Sequence, residues 1–222
     1  MRWSYHNRNH AGKILAEELV KVREWSNPLV LAIPNGGVSV AAPITDALKA
    51  SFDVIIVRKL QIPHNTEAGF GALTSLGTMI LNEALVARIG LSENDIKVVR
   101  ETTLKQIETR KKAYSGLVGT ESPKDCDVIL VDDGLASGFT MVAAIQSVKL
   151  ASPKSVTVAV PTSSKSAIQR VRPLVDNLVC PRIESGFVFA VANAYENWYD
   201  VSESEVLDLL QAFRAGSKTQ AR

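Results

Sequence analysis

The stretch that most limits how this chain can fold is VILVDDGLASGFT, residues 128–140. The apolar run from Val128 to Val131 reads as a buried strand, and it stops at two adjacent carboxylates, Asp132 and Asp133. Gly134, Ser137, Gly138 and Thr140 follow, and residues 141–150 (MVAAIQSVKL) then have the composition of a helix. A strand that delivers acids at its carboxyl end, then a Gly/Ser/Thr loop opening onto a helix, is the local plan of a phosphate site. Loop N–H groups and the positive end of the helix would hold the anion. Adjacent carboxylates would repel a phosphate, so they must face something else, either sugar hydroxyls or a magnesium ion. An ordinary strand, turn and helix would need neither the two acids nor all of the hydroxyls. A Walker A loop is excluded, because no Gly-Lys-Ser/Thr follows.

The remaining text alternates strands and helices, which argues for a doubly wound, mainly parallel α/β sheet. Spacing of Ile14, Leu15, Leu19 and Val22 predicts a helix over residues 11–25, stopped by Asn27-Pro28. Before it, residues 1–10 lack periodicity and are expected on the surface. Residues 29–33 form an apolar strand, and Pro34-Asn35-Gly36-Gly37 turns it into a helix over 38–49. A glycine pair there allows close approach of a ligand to the backbone. Residues 53–57 read as a strand that ends in Arg58-Lys59, placing two cations where α/β sheets bind ligands.

Residues 61–77 combine Pro63, His64, Glu67 and several glycines without periodicity, and predict a long mobile loop. A strand at 78–81, a short helix at 82–89 and a helix beginning at Ser92 come next, the last with i,i+4 charge pairs on a solvated face. Beyond the motif helix, residues 155–160 and 176–179 are expected strands, with a helix over 166–171 between them. Residues 182–199 are aromatic and irregular, and residues 202–213 read as a closing amphipathic helix.

Composition limits the function classes. A chain of 222 residues suits one sizeable α/β domain. A net charge of +2 gives no electrostatic case for a nucleic-acid partner. Cys126 and Cys180 have neither a redox nor a zinc spacing. No apolar run approaches a membrane span and no charged-then-apolar leader is visible, so a cytoplasmic protein without a membrane partner is expected.

With these residues in view, the motif resembles the PRPP-binding motif of the type I phosphoribosyltransferases. The resemblance covers most of the chain in order: glycine loop, cationic strand end, mobile loop, acidic motif and aromatic hood. It implies a single domain, 1–222, whose small hood comprises residues 182–199 and the N-terminal segment. It also implies a Mg2+-dependent transfer of ribosyl-5-phosphate from PRPP to a nitrogenous base or similar small acceptor, within nucleotide metabolism and in a homodimer. Asp132 and Asp133 would hold the ribose hydroxyls, with indirect contact to Mg2+. Ala136, Ser137, Gly138, Phe139 and Thr140 would take the 5′-phosphate, and Asn35, Gly36, Gly37, Arg58 and Lys59 the pyrophosphate. Phe187, Phe189 and Tyr195 would stack on the base, with Trp198 and Tyr199 nearby.

Two departures stand out. Asn35 occupies the place of the family's basic residue, which opens an alternative reading as a non-enzymatic PRPP or nucleotide sensor. Ala136 stands where hypoxanthine/guanine enzymes carry an acidic base, and Val160-Pro161 stands where they carry a lysine, for which Lys165 is a distant substitute. Those two purines are therefore disfavoured as acceptors.

Overall fold

The computed structural model describes residues 4–63, 65–186 and 189–220, with side chains excluded at 66, 67 and 216–220. In chain order the elements are α1 (Arg8–Val22), β1 (Pro28–Ala32), α2 (Gly36–Leu48), β2 (Ser51–Val54), β3 (Val57–Ile62), β4 (Asn65–Thr74) and β5 (Met79–Leu81). Next come α3 (Glu83–Ile89), α4 (Glu93–Ala113), β6 (Asp127–Val131), α5 (Phe139–Lys149) and β7 (Ser155–Ala159). The last are β8 (Thr162–Ser164), α6 (Lys165–Val171), β9 (Asn177–Val179), β10 (Arg182–Glu184) and α7 (Glu203–Gln220).

Five strands form a parallel sheet in the order β2-β1-β6-β7-β9. β6 is buried along its whole length because helices cover both sheet faces, which is why it reads as a continuous apolar run. Alternation sorts its side chains. Ile129 and Val131 join Val30 and Ala32 in a core shared with α1, α2 and α7. Val128 and Leu130 join Leu29 and Leu31 in a second core shared with α5 and α6. Each fully buried aliphatic side chain contributes roughly 1.5–3 kcal/mol. β1 connects outward to β2 on one side, and the chain returns on its other side as β6, so the order reverses between β1 and β6. Ligands in open α/β sheets bind beyond the strand ends at such a point. Both glycine loops, 33–37 and 132–138, emerge there.

Three parts differ from the expectations. The helix assigned to 11–25 begins at Arg8, because the Asn7 side chain caps it by accepting from the His10 N–H. In the segment before it, Ser4 and His6 are exposed as expected, but Tyr5 is 4% exposed and pairs with Tyr195. Residues 61–77, expected to be an irregular loop, are largely β3 and β4 of a separate antiparallel sheet in the order β3-β4-β5. The glycines that gave this stretch its loop-like composition are close-approach sites. A Cβ on Gly69 would lie 2.2 Å from the Lys59 Cγ, and one on Gly71 would lie 2.3 Å from the Ile80 carbonyl. Arg58 and Lys59 consequently lie inside β3, not at the end of a parallel strand.

Candidate active site

The motif turn is built by its own backbone and by β8. The Asp133 N–H donates to Asp132 Oδ1 at 2.8 Å. The Leu135 N–H donates to the Thr162 carbonyl, and the Ser164 N–H donates back to the Leu135 carbonyl. The Ser164 hydroxyl donates to the Ala136 carbonyl at 2.7 Å, and an Arg170 N–H donates to the Ser137 carbonyl. With its outward carbonyls engaged in this way, the loop ends at Gly138, whose φ of +80° starts α5. No side chain caps α5, so its first N–H groups remain available to an anion.

Before this helix end lies a cavity of about 460 Å³. Asp132, the loop from Gly134 to Thr140, Lys59, Gly69, Gly71 and Val191 line it. The expected phosphate residues Ala136, Ser137, Gly138, Phe139 and Thr140 therefore share one cavity with Asp132 and Lys59. Ala68, Gly69, Gly71 and Val191 were not anticipated. They come from β4, read as a loop, and from the irregular 3-10 turn Val191–Ala194.

The two acids separate in role. Asp132 faces the cavity, and its pKa is driven well above the ordinary carboxylate value, first by burial and then by the charge of Asp133. Burial raises Asp133 as well, but the Arg8 guanidinium opposes it. The Arg8 Nε donates to Asp133 Oδ2 at 2.8 Å. Arg8 is itself positioned by a second donation to the Tyr199 carbonyl and by lying 4.0 Å over the Trp198 ring. Nothing periodic marks Arg8 in the sequence; the only local signal is the Asn7 cap that makes it the first helical residue.

The glycine loop abuts the motif. A Cβ on Gly37 would lie 2.8 Å from the Val131 carbonyl, and one on Gly36 would lie 1.9 Å from Asp133 Oδ2. Asn35 points elsewhere: its amide donates to the Val201 carbonyl at 2.7 Å. Arg58 is not among the cavity residues. Lys59 faces the cavity, whereas its neighbour's charged surroundings are Arg110, Glu203 and Tyr114.

The aromatic stretch requires a correction. Tyr195 is 1% exposed, packs against Tyr5 and Trp198, and donates its hydroxyl to the Asp133 carbonyl at 2.6 Å. It buttresses the motif and has no face free for a base. Phe189 lines a smaller cavity of about 120 Å³ with Thr162, Arg182, Glu184 and Asn193. Phe187 and His64 lie outside the described residues, as does the side chain of Glu67. Trp198 stacks on Arg8, and the Tyr199 hydroxyl donates to Glu205. Lys165 opens α6 and does not line either cavity. Among the described residues no group of three or more His, Cys, Asp or Glu side chains is placed to hold a metal. No helix there is long and apolar enough to cross a membrane.

A parallel sheet with an acid-bearing turn and an uncapped helix start at its switch point, covered by a separate antiparallel sheet, defines the class as a mainly parallel α/β fold. The phosphoribosyl transferase domain family matches residues 5–196, and the chain belongs to that family. Two curated relatives from Mycobacterium tuberculosis, strains CDC 1551 / Oshkosh and ATCC 25618 / H37Rv, bear phosphoribosyl transferase names. Each is 31% identical over 206 residues, which is 93% of this chain and 46% of the relative. The chain thus spans about half the length of those curated relatives. The crystal structure of TT1426 from Thermus thermophilus superposes with a TM-score of 0.78 at 30% identity, covering 96% of this chain and 99% of that one. AQ2163 from Aquifex aeolicus shares the fold at 11% identity, with a TM-score of 0.52 over 80% of this chain and 74% of its own.

Proposed function

We propose that this domain transfers a ribosyl-5-phosphate group from PRPP to a nitrogenous base or similar small acceptor, with release of pyrophosphate. The observation that carries this reading is the shared cavity. It holds a carboxylate for a sugar diol, Asp132, and an uncapped helix start for a phosphate, at Gly138, with the Lys59 cation on the same wall.

In the transfer, the bond from the anomeric carbon to the pyrophosphate oxygen breaks and a carbon–nitrogen bond forms. Pyrophosphate leaves with the electron pair. Asp132 accepts hydrogen bonds from the ribose hydroxyls and, once ionised opposite the sugar's developing positive charge, stabilises that charge. The α5 N–H groups fix the 5′-phosphate, which aligns the sugar for attack, and Lys59 on the same cavity offers its charge to the leaving pyrophosphate. Asp133 is held by Arg8 and sets the shape of the turn. With Ala136 in the loop there is no carboxylate at that position to remove a proton, so an acceptor already ionised in solution suits this site.

The donor set fits Mg2+. A cavity-facing carboxylate whose charge is strained by burial, next to space for phosphate and ribose oxygens, matches an ion that takes one or two carboxylates and draws its other ligands from substrate and water. Bound there through Asp132, with Asp133 indirect, the ion would neutralise charge on the leaving pyrophosphate. We place the protein in the cytoplasm, as a homodimer that binds no nucleic acid or membrane, with the hood formed by residues 182–199 and the N-terminal segment.

The commitment of Asn35 to the Val201 carbonyl leaves the glycine loop without a side-chain charge, and this supports the second reading, a PRPP or nucleotide sensor. Incubation with PRPP, Mg2+ and a panel of bases, following pyrophosphate release, tests the transfer. The expected result is release that depends on one base and disappears in Asp132→Asn. PRPP binding without turnover on any base would favour the sensor, and no PRPP binding at millimolar ligand would remove both readings.

A further inference from the structure

The loop that opens onto α5 is held from behind by one side of α6. Ser164, the N-cap of α6, donates its N–H to the Leu135 carbonyl and its hydroxyl to the Ala136 carbonyl at 2.7 Å. One turn further, Ala167 packs so close to Gly138 that a Cβ there would lie 3.2 Å from the Ala167 Cβ. Another turn on, Arg170 donates a guanidinium N–H to the Ser137 carbonyl, and its Cζ lies 4.4 Å from the centre of the Phe139 ring. Ser164, Ala167 and Arg170 are spaced to share one helix face, and that face is turned to the loop.

The direction of the carbonyls settles the direction of the N–H groups. In a trans peptide the C=O and the N–H point to opposite sides, and the peptides of this loop are trans. Turning the Leu135, Ala136 and Ser137 carbonyls toward α6 therefore aims the N–H groups of Ala136, Ser137 and Gly138 the other way. Those three residues line the cavity, whereas no residue of α6 does. Among the described residues, none of the three N–H groups donates to another protein group. Successive N–H groups presented together in this way form a nest for an anion.

Of the contacts from α6, only that of Arg170 brings a charge. Residues 136–140 carry no basic side chain of their own. The guanidinium at their outer rim therefore adds a positive field behind the nest and keeps the peptide between Ser137 and Gly138 turned. We propose that Arg170 is a positioning residue for the phosphate end of the sugar substrate, acting through Ser137 and Phe139 without touching the ligand. The identity of that ligand as a ribosyl 5-phosphate rests on the function proposed above. The role separates the two ends of PRPP: the phosphate end depends on Arg170, and the pyrophosphate end does not.

Isothermal titration of the full chain with ribose 5-phosphate and, separately, with inorganic pyrophosphate tests this, with Arg170→Met and Arg170→Lys as variants. Arg170→Met is expected to weaken ribose 5-phosphate binding roughly tenfold and to leave pyrophosphate within about twofold of wild type. Arg170→Lys keeps the charge but neither the planar fork nor the ring contact, so its loss should be smaller and again confined to ribose 5-phosphate. This variant decides the matter if the methionine variant fails to fold. In turnover with PRPP, Arg170→Met should raise KM with little change in kcat, as when binding shared by ground and transition states is removed. Unchanged ribose 5-phosphate affinity in the folded variants would overturn the role. An equal loss for both ligands would overturn it too, because that marks a general loosening of the fold. Wild type that binds neither ribose 5-phosphate nor PRPP would sink the proposed transferase, and the role of Arg170 with it.

Discussion

Arg8 reaches across 125 residues of chain to donate its Nε to Asp133 Oδ2 at 2.8 Å. The pair is nearly closed to solvent, with side chains 7% and 17% exposed. It joins the first helix to the acidic turn, and the stacking of Arg8 on Trp198 adds the aromatic stretch before α7 to the same assembly. Removing one partner of a buried ion pair costs about 3–5 kcal/mol, because the other charge is left unpaired. Arg8→Met is therefore expected to lower stability by an amount of that order and to weaken PRPP binding, since Asp133 loses its fixed orientation. Arg8→Lys keeps the charge but neither the planar fork nor the ring contact, so it should recover only part of the loss. Denaturant titration and calorimetry measure the two effects separately. A folded Arg8→Met protein with unchanged PRPP affinity would show that the orientation of Asp133 does not matter for binding.

The same carboxylate explains why residue 36 is glycine. A Cβ at this position would sit 1.9 Å from Asp133 Oδ2, 2.5 Å from its Cγ and 2.8 Å from the Arg8 Nε. Gly36→Ala must then displace the acid or its arginine. We expect this single methyl to weaken PRPP binding by about tenfold, equivalent to ~1.4 kcal/mol, with a melting temperature below that of wild type. A crystal structure of the variant would show the Asp133 side chain rotated. An alanine variant with wild-type affinity and an unmoved Asp133 would refute this account of the glycine.

Legibility of the fold followed how far each signal travels along the chain. The run Val128 to Val131 declares a central strand because burial on both faces requires every residue to be apolar, a local property. The cap of α4 was legible for the same reason: Ser92 acts on a neighbour three residues away. β3 and β4 were not, because Gly69 and Gly71 serve contacts with Lys59 and Ile80 and so imitate the composition of a loop. The orientation of Arg58 depended on recognising that strand first. Tyr195 was misjudged because its burial is decided by Tyr5, at the opposite end of the sequence. Within the site, the loop from Ala136 to Thr140 could be read directly, whereas Arg8 could not: its partner is 125 positions away and no repeat points to it.

Far from the cavity, Asp127 makes an acid-sensitive anchor. Its carboxylate accepts from the Ser155 hydroxyl at 2.8 Å and from the Ser26 N–H and hydroxyl, and it pairs with Arg23 at 2.8 Å. Burial alone would raise its pKa, but the Ser155 and Ser26 hydrogen bonds and the Arg23 charge together hold it below the ordinary carboxylate value of 3.8. The folded state therefore binds this proton less readily than the unfolded chain. The stabilisation is fully present above the unfolded value and is lost as pH falls through the lower folded value. Asp127→Asn is expected to lower stability at neutral pH and to flatten its fall below about pH 4. Denaturant midpoints at several acidic pH values would test this. A variant with the wild-type slope would mean that another carboxylate governs the acid transition.

Asn35 offers the sharpest contrast between reading by analogy and reading by contact. Analogy suggests that restoring a basic residue at this position would tighten the hold on pyrophosphate. The contact suggests otherwise, because the Asn35 amide is already spent on the Val201 carbonyl at 2.7 Å, and Val201 is 7% exposed. Asn35→Arg would remove that hydrogen bond and leave a buried carbonyl short of a donor, at a cost of about 1–3 kcal/mol. It would also loosen the start of α7, where Glu203 faces Arg110. Asn35→Arg is accordingly expected to melt at a lower temperature and to bind pyrophosphate no more tightly than wild type. Asn35→Ala should show the same loss of stability without the added charge. A variant that gains affinity for pyrophosphate would show that the loop's missing cation limits binding after all.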